Sequence, residues 1–147
     1  MIENAQILLI DDDEGSRHNL TTVLAFLGES VTSATSAVWK IQVEEGGLQS
    51  SKFCAAIIAN CSEKGLAFLI QQLHTWEGGL PFILVGEQYL PKDLDFQLRS
   101  CIAAQLPAQL SYQPLLDALH KAKIFHEHFN RLRDFDGVRD FTMFRSL

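Results

Sequence analysis

The chain has 147 residues, 47% of them hydrophobic and 20% charged, a balance that fits one folded domain with a short appendage and excludes a disordered chain. Its formal net charge of -6 repels phosphate backbones, which disfavours direct nucleic-acid binding by this segment. No apolar run approaches the roughly 20 residues needed to cross a bilayer, and a glutamate stands near Met1 where a signal peptide would be basic, so a cytoplasmic protein without a membrane partner is expected.

Residues 5–10 form a nearly continuous apolar run ended by acids, as in a central parallel strand buried on both faces. Leu20, Val23, Leu24 and Leu27 then recur at helical spacing until Gly28, a C-cap. Residues 30–34 are polar and β-branched, which predicts an edge strand. Ser36 is expected to cap a helix running to about residue 45, where Gly46-Gly47 breaks it. The third strand spans 53–59. The next helix, 65–76, places Leu66, Leu69, Ile70 and Leu73 on one face and stops at Gly78-Gly79, before a fourth strand at 81–85. A weakly patterned helix from about 92 to 100 leads to a fifth strand, 101–106, ended by Pro107. Strands alternating with helices predict an α/β fold, a five-stranded parallel sheet with helices on both faces.

The last helix begins near Ser111, tolerates Pro114 in its first turn, and runs longer than the sheet requires. Ala118, Ala122, Phe125, Phe129 and Leu132 follow a 4-3-4-3 spacing. That pattern fits a seam for homodimerisation, and it equally fits ordinary packing of a helix on its own sheet. It ends after Asp134, with Gly137 leading into a polar stretch. The expected organisation is a core over 1–112, an extended helix over 113–134 and a linker over 135–147.

In open α/β sheets, sites form at the carboxyl ends of strands. The first strand ends in Asp11-Asp12-Asp13-Glu14, carboxylates that either hold a cation or place acids at the positive end of a helix. Here the sequence resembles the CheY-like, flavodoxin-like receiver domains of response regulators. In that family an acidic pair after the first strand binds magnesium beside a phosphorylated aspartate after the third. A Ser or Thr after the fourth strand and a Lys before a proline after the fifth complete the site. The resemblance maps the acidic pair onto Asp11 and Asp12, the acceptor onto Ala59, the hydroxyl onto Gly86 and the lysine onto Leu106. No aspartate occurs between Asp13 and Asp93, and Asn60 cannot form an acyl phosphate. Phosphoryl transfer depends on positioning and charge stabilisation, so this corner is expected to be a vestigial acidic pocket with weak or no magnesium binding and no catalytic residue.

Several stretches are more specific: Ile7-Leu8-Leu9-Ile10-Asp11-Asp12, Phe26-Leu27-Gly28-Glu29, residues 80–87, Ser111-Tyr112 with Leu115-Leu116-Asp117, and Phe144-Arg145-Ser146-Leu147. Together they resemble the amino-terminal domain of FleQ/FlrA-type flagellar master regulators. That resemblance implies an atypical receiver followed by an AAA+ ATPase domain, which engages RNA polymerase carrying the sigma factor RpoN, and then a helix-turn-helix DNA-binding domain. Neither later domain lies in these 147 residues. ATP and cyclic di-GMP are implied for the full-length family, with Arg145 as a contact for the dinucleotide, and no cofactor is implied for the receiver itself.

The remaining chemistry-bearing residues point elsewhere. Cys54, Cys61 and Cys101 lack zinc spacing and read as reduced, mostly buried thiols. His120, His126 and His128 lack an i, i+4 pair or an HExxH order and read as a solvated helix face, while Trp39 and Trp76 read as packing residues. No metal site and no enzyme are expected. The alternative is a ligand-binding or enzymatic flavodoxin-like domain using the crevice above the first and third strands, although no glycine-rich phosphate loop supports it.

Overall fold

The computed structural model describes residues 5–86 and 94–139, the side chains of residues 63, 64 and 133–139 excepted. Five parallel strands, β1 (Gln6–Asp11), β2 (Ser30–Ala34), β3 (Phe53–Ala59), β4 (Phe82–Val85) and β5 (Ile102–Leu106), lie in the order β2-β1-β3-β4-β5. This is the doubly wound order in which sites gather above the β1/β3 switch point. The helices are α1 (Glu14–Phe26), α2 (Ser36–Glu44), α3 (Glu63–Trp76), α4 (Phe96–Ser100) and α5 (Tyr112–Arg139).

Alternation along the strands divides the core into two layers. Leu8, Ile10, Ala56, Ile58, Phe82 and Leu84 face α2 and α3, where Trp39, Leu66, Ile70 and Leu73 close over them. Ile7, Leu9, Ala55, Ile57, Ala59, Ile83 and Val85 face α1 and α5, which contribute Leu20, Leu24, Leu115, Ala118, Leu119 and Ala122. Because both faces are covered, the strands of the middle of the sheet are apolar without a break, as parallel sheets require. β2 lies at an edge, as its composition predicts.

Local polar chemistry fixes the helix ends. Asp13 caps α1, its carboxylate accepting from Ser16 N at 2.8 Å. At the other end, Gly28 N donates to Ala25 O and Glu29 N to Leu24 O, the paired bonds of a Schellman motif. Thr35, rather than Ser36, caps α2 by accepting from Val38 N. Ser62 caps α3, which therefore begins two residues before the Gly65 expected from hydrophobic spacing alone. α4 begins after Asp95, whose side chain accepts from Gln97 N, and is shorter than the expected 92–100.

α5 corrects three expectations. It has 28 residues and continues through Asp134 and Gly137 to Arg139, because the end of an apolar stripe ends burial and not helix. Exposed polar residues such as Glu127 and Arg131, paired i, i+4 at 2.7 Å, still favour it. Second, the 4-3-4-3 stripe is largely spent inside the chain. Ala118 and Ala122 are 3% and 0% exposed against the chain's own sheet, Phe125 packs on the α2/α3 layer, and the Phe129 ring covers Gly79. Leu132, 48% exposed, is the most open member of the stripe, with Phe125 and Phe129 half-buried. Third, His126 is 5% exposed, four residues after Ala122 on the buried stripe, whereas His120 and His128 are exposed as expected. Lys123 reaches Glu29 at 2.6 Å and ties α5 to the end of α1. No helix among the described residues is long and apolar enough to cross a membrane.

Candidate functional site

The acidic run after β1 sits at the switch point, and register places Asp11 directly beside Ala59, the last residue of β3. Ala59, the residue matched above to the receiver's acceptor position, thus ends β3 beside this acid. Asp11 has no exposed surface, and its charge is met by donors from three directions. Oδ1 accepts from Asp13 N at 2.9 Å and from Asn60 Nδ2 at 3.0 Å, while Oδ2 accepts a short bond from the Ser16 hydroxyl. Arg17 adds a bond from its guanidinium to the Asp11 carbonyl oxygen at 2.9 Å. A buried carboxylate is tolerated only when supplied in this way.

Asp12 turns the other way. Its Oδ1 accepts from Ser36 N at 2.7 Å and its Oδ2 from Ser36 Oγ at 3.0 Å. α2 has no acid in its own first turn, so Asp12 supplies from β1 the negative charge that a helix amino-terminus favours. Asp13, as the α1 cap, is engaged as well. Asp13 and Asp12 thus serve the starts of α1 and α2, whereas Asp11 is buried rather than solvated.

The other degenerate positions have local reasons of their own. Gly86 follows β4 at φ +92°, in the left-handed region, and donates its N–H to Leu106 O at 2.8 Å. A Ser or Thr would be strained there, so the backbone itself has left the form that carries a hydroxyl. Leu106 packs against the α1/α5 layer as an apolar residue. Asn60 adopts φ 54°, a conformation that Asn tolerates better than most residues, and it follows β3 directly.

Ser16 and Arg17 are members of this corner that sequence reasoning did not single out, while Asn60 and Ser36 were noted for other reasons and not as partners of the acids. The available signal was an Asn placed directly after a strand and a Ser three residues after a cap. Arg145 lies outside the described residues, as do residues 140–147 of the expected linker. The three cysteines are free thiols, and none is activated. Burial, then the charges of Asp12 and Asp11, push the Cys61 thiol up to about 12, and burial also raises Cys54 and Cys101. Trp39 and Trp76 pack edge to face at 5.6 Å, and Phe53 lies 5.8 Å from Trp76, which bears out their reading as packing residues.

Solved structures share this architecture. A response regulator receiver domain protein from Clostridium thermocellum is similar over 85% of this chain and 98% of its own, with 20% identity and a TM-score of 0.64. The signal receiver domain of an HD domain-containing protein from Pseudomonas fluorescens Pf-5 matches over 90% and 96%, with 22% identity and a TM-score of 0.62. The response regulator TrrA from Thermotoga maritima, solved in complex with Mg(2+)-BeF, matches over 80% and 98%, with 15% identity and a TM-score of 0.59. At these identities the likeness establishes the receiver fold. A more specific match comes from the family described as flagellar regulatory protein FleQ, whose model covers residues 6–124, from β1 into α5. The chain belongs to the FleQ family of flagellar regulatory proteins, as a receiver-like domain whose acidic corner faces an alanine and an asparagine.

Proposed function

We propose that this chain is a non-phosphorylatable, receiver-like regulatory and dimerisation domain of a sigma-54-dependent transcription activator of flagellar genes. The observation that carries the first part is the Ala59 methyl beside Asp11 at the end of β3, because an acyl phosphate needs a carboxylate at that point. Family membership supports the flagellar assignment. Incubation with acetyl phosphate and magnesium, followed by intact-mass measurement, is expected to leave the mass unchanged. A stoichiometric phosphoryl adduct that alkaline hydroxylamine removes would refute the reading.

In this reading ATP belongs to an AAA+ domain joined through residues 135–147, and DNA and RpoN-containing polymerase are reached through that domain and a helix-turn-helix domain. Arg145 contacts cyclic di-GMP only together with the ATPase domain. The homodimer uses surface that the fold leaves uncovered. On α5 this is Leu116, Ile124 and Leu132, with Phe26 and Tyr112 forming an exposed ring pair 5.5 Å apart nearby. Removing residues 113–134 would strip Leu115, Ala118, Leu119 and Ala122 from the core, so surface substitutions are the better test. Sedimentation of Leu116→Glu, Ile124→Glu and Leu132→Glu variants is expected to show a weakened dimer for at least one. An unchanged dimer in all three would remove α5 from the interface. The flavodoxin-like alternative gains nothing at the crevice, where Asp11 and Asp12 are already bonded within the chain.

A further inference from the structure

The receiver resemblance implies a divalent cation at the carboxyl ends of β1 and β3, and the side chains of this corner do not fit one. Magnesium binds accessible carboxylate oxygens and keeps several of its own waters. Both Asp11 oxygens already accept hydrogen bonds, and the residue has no exposed surface. Both Asp12 oxygens are directed onto Ser36. Among the described residues, no group of three or more His, Cys, Asp or Glu is placed to hold a metal ion.

We propose that Asn60 replaces the cation as the group that meets the buried Asp11 charge, and that the Asp11–Asn60 and Asp12–Ser36 bonds form a latch holding the starts of α1, α2 and α3 in one arrangement. The proposal rests on the reading that no phosphoryl group enters this corner.

Three features carry it. A buried carboxylate needs either a counter-charge or convergent donors, and here the side chains that donate to the carboxylate itself, Asn60 and Ser16, are neutral, the Arg17 guanidinium reaching the Asp11 carbonyl oxygen instead. Asn60 leaves β3 in the left-handed conformation, at φ 54°, and its amide lies 3.0 Å from an acid on the neighbouring strand. An amide N–H aimed at Oδ1 also occupies the lone pair a metal would take. Finally, the adjacent acids Asp11 and Asp12 point to different elements, one to the β3–α3 connection and one to the start of α2, so a single dipeptide fastens both to β1. With α1 held to the same dipeptide through Ser16 and Arg17, the carboxyl end of the sheet is closed by the chain itself. A signal reaching this domain then enters through its outer surfaces.

The test is thermal unfolding of the wild type and of Asn60→Ala, Asn60→Asp and Ser36→Ala, each with and without millimolar magnesium chloride and with sodium chloride at matched ionic strength. The wild-type melting temperature is expected to be indifferent to magnesium. Asn60→Ala falls by about 5 °C and stays indifferent. Asn60→Asp, which sets two carboxylates against each other, falls further without metal and recovers with magnesium but not with sodium. A structural role alone would not give that recovery. Ser36→Ala alters an exposed hydroxyl and folds regardless; in it the Ser36 amide is expected to exchange with solvent several-fold faster. Saturable stabilisation of the wild type by magnesium, an Asn60→Ala variant that melts like the wild type, an Asn60→Asp variant indifferent to magnesium, or unchanged exchange at residue 36 would each overturn the latch. Phosphorylation is read separately by mass, so its outcome bears on the parent reading and not on these.

Discussion

Asp11→Ala is expected to lower folding stability by about 2 kcal/mol, measured as the shift of a urea unfolding curve at neutral pH. Replacing a buried ionic cluster with apolar groups of the same shape is often harmless, whereas removing one member and leaving the others is costly. Alanine at 11 is the costly case. It removes, at a fully buried position, the acceptor shared by the Asp13 N–H, the Asn60 amide and the Ser16 hydroxyl, although Asp13 and Asn60 are exposed residues whose donors can turn to water. Asp11→Asn keeps the shape and one carbonyl oxygen, and the Ser16 hydroxyl can rotate to accept, so its loss should be about half as large. An alanine variant within about 1 kcal/mol of the wild type would mean that the donors find other partners.

Gly79→Ala is the second large effect. A Cβ on Gly79 would fall inside the Phe129 ring, meeting Cγ as well as the outer ring carbons, so a small rotation of the side chain does not clear it. The ring must leave its seat, and a displaced aromatic on a packed face costs about 2 kcal/mol. The double-mutant cycle makes this specific. Once Phe129→Ala has emptied the seat, Gly79→Ala should cost almost nothing more, so the two changes are strongly non-additive. Additive losses would show that Gly79 serves the backbone of the α3–β4 connection instead of admitting α5.

The sheet was legible because burial on both faces leaves no polar residue between Gln6 and Asp11 in β1 or anywhere in β3, and period-2 alternation is not needed to recognise such strands. β3, Phe53–Ala59, follows from its apolar run to the residue. Helix starts were less legible where a side chain from elsewhere takes part: Ser36 looks like a cap by its type, but Thr35 caps α2 while Ser36 serves Asp12. The α5 stripe was seen correctly as apolar spacing and remained undetermined in its partner, since a sheet and a second helix call for the same side chains. His126 shows the same limit: its burial follows from its place four residues beyond Ala122, not from its chemistry. At the acidic corner, the losses at Ala59, Gly86 and Leu106 were visible one residue at a time. The replacement was not, because the bond between Asn60 and Asp11 spans 49 positions.

The length of α5 has a geometric consequence beyond packing. The helix is anchored by its buried face as far as Phe129 and continues about 15 Å further to Arg139. Over such an unbroken rod, direction is counted in residues: deleting one turns the exit bearing by about 100° and shortens the reach by about 1.5 Å, whereas deleting seven nearly restores the bearing. The domain therefore sets an angular phase for whatever it is joined to, and a change of a single residue in α5 beyond Phe129 would reset that phase while leaving every buried contact of the sheet in place.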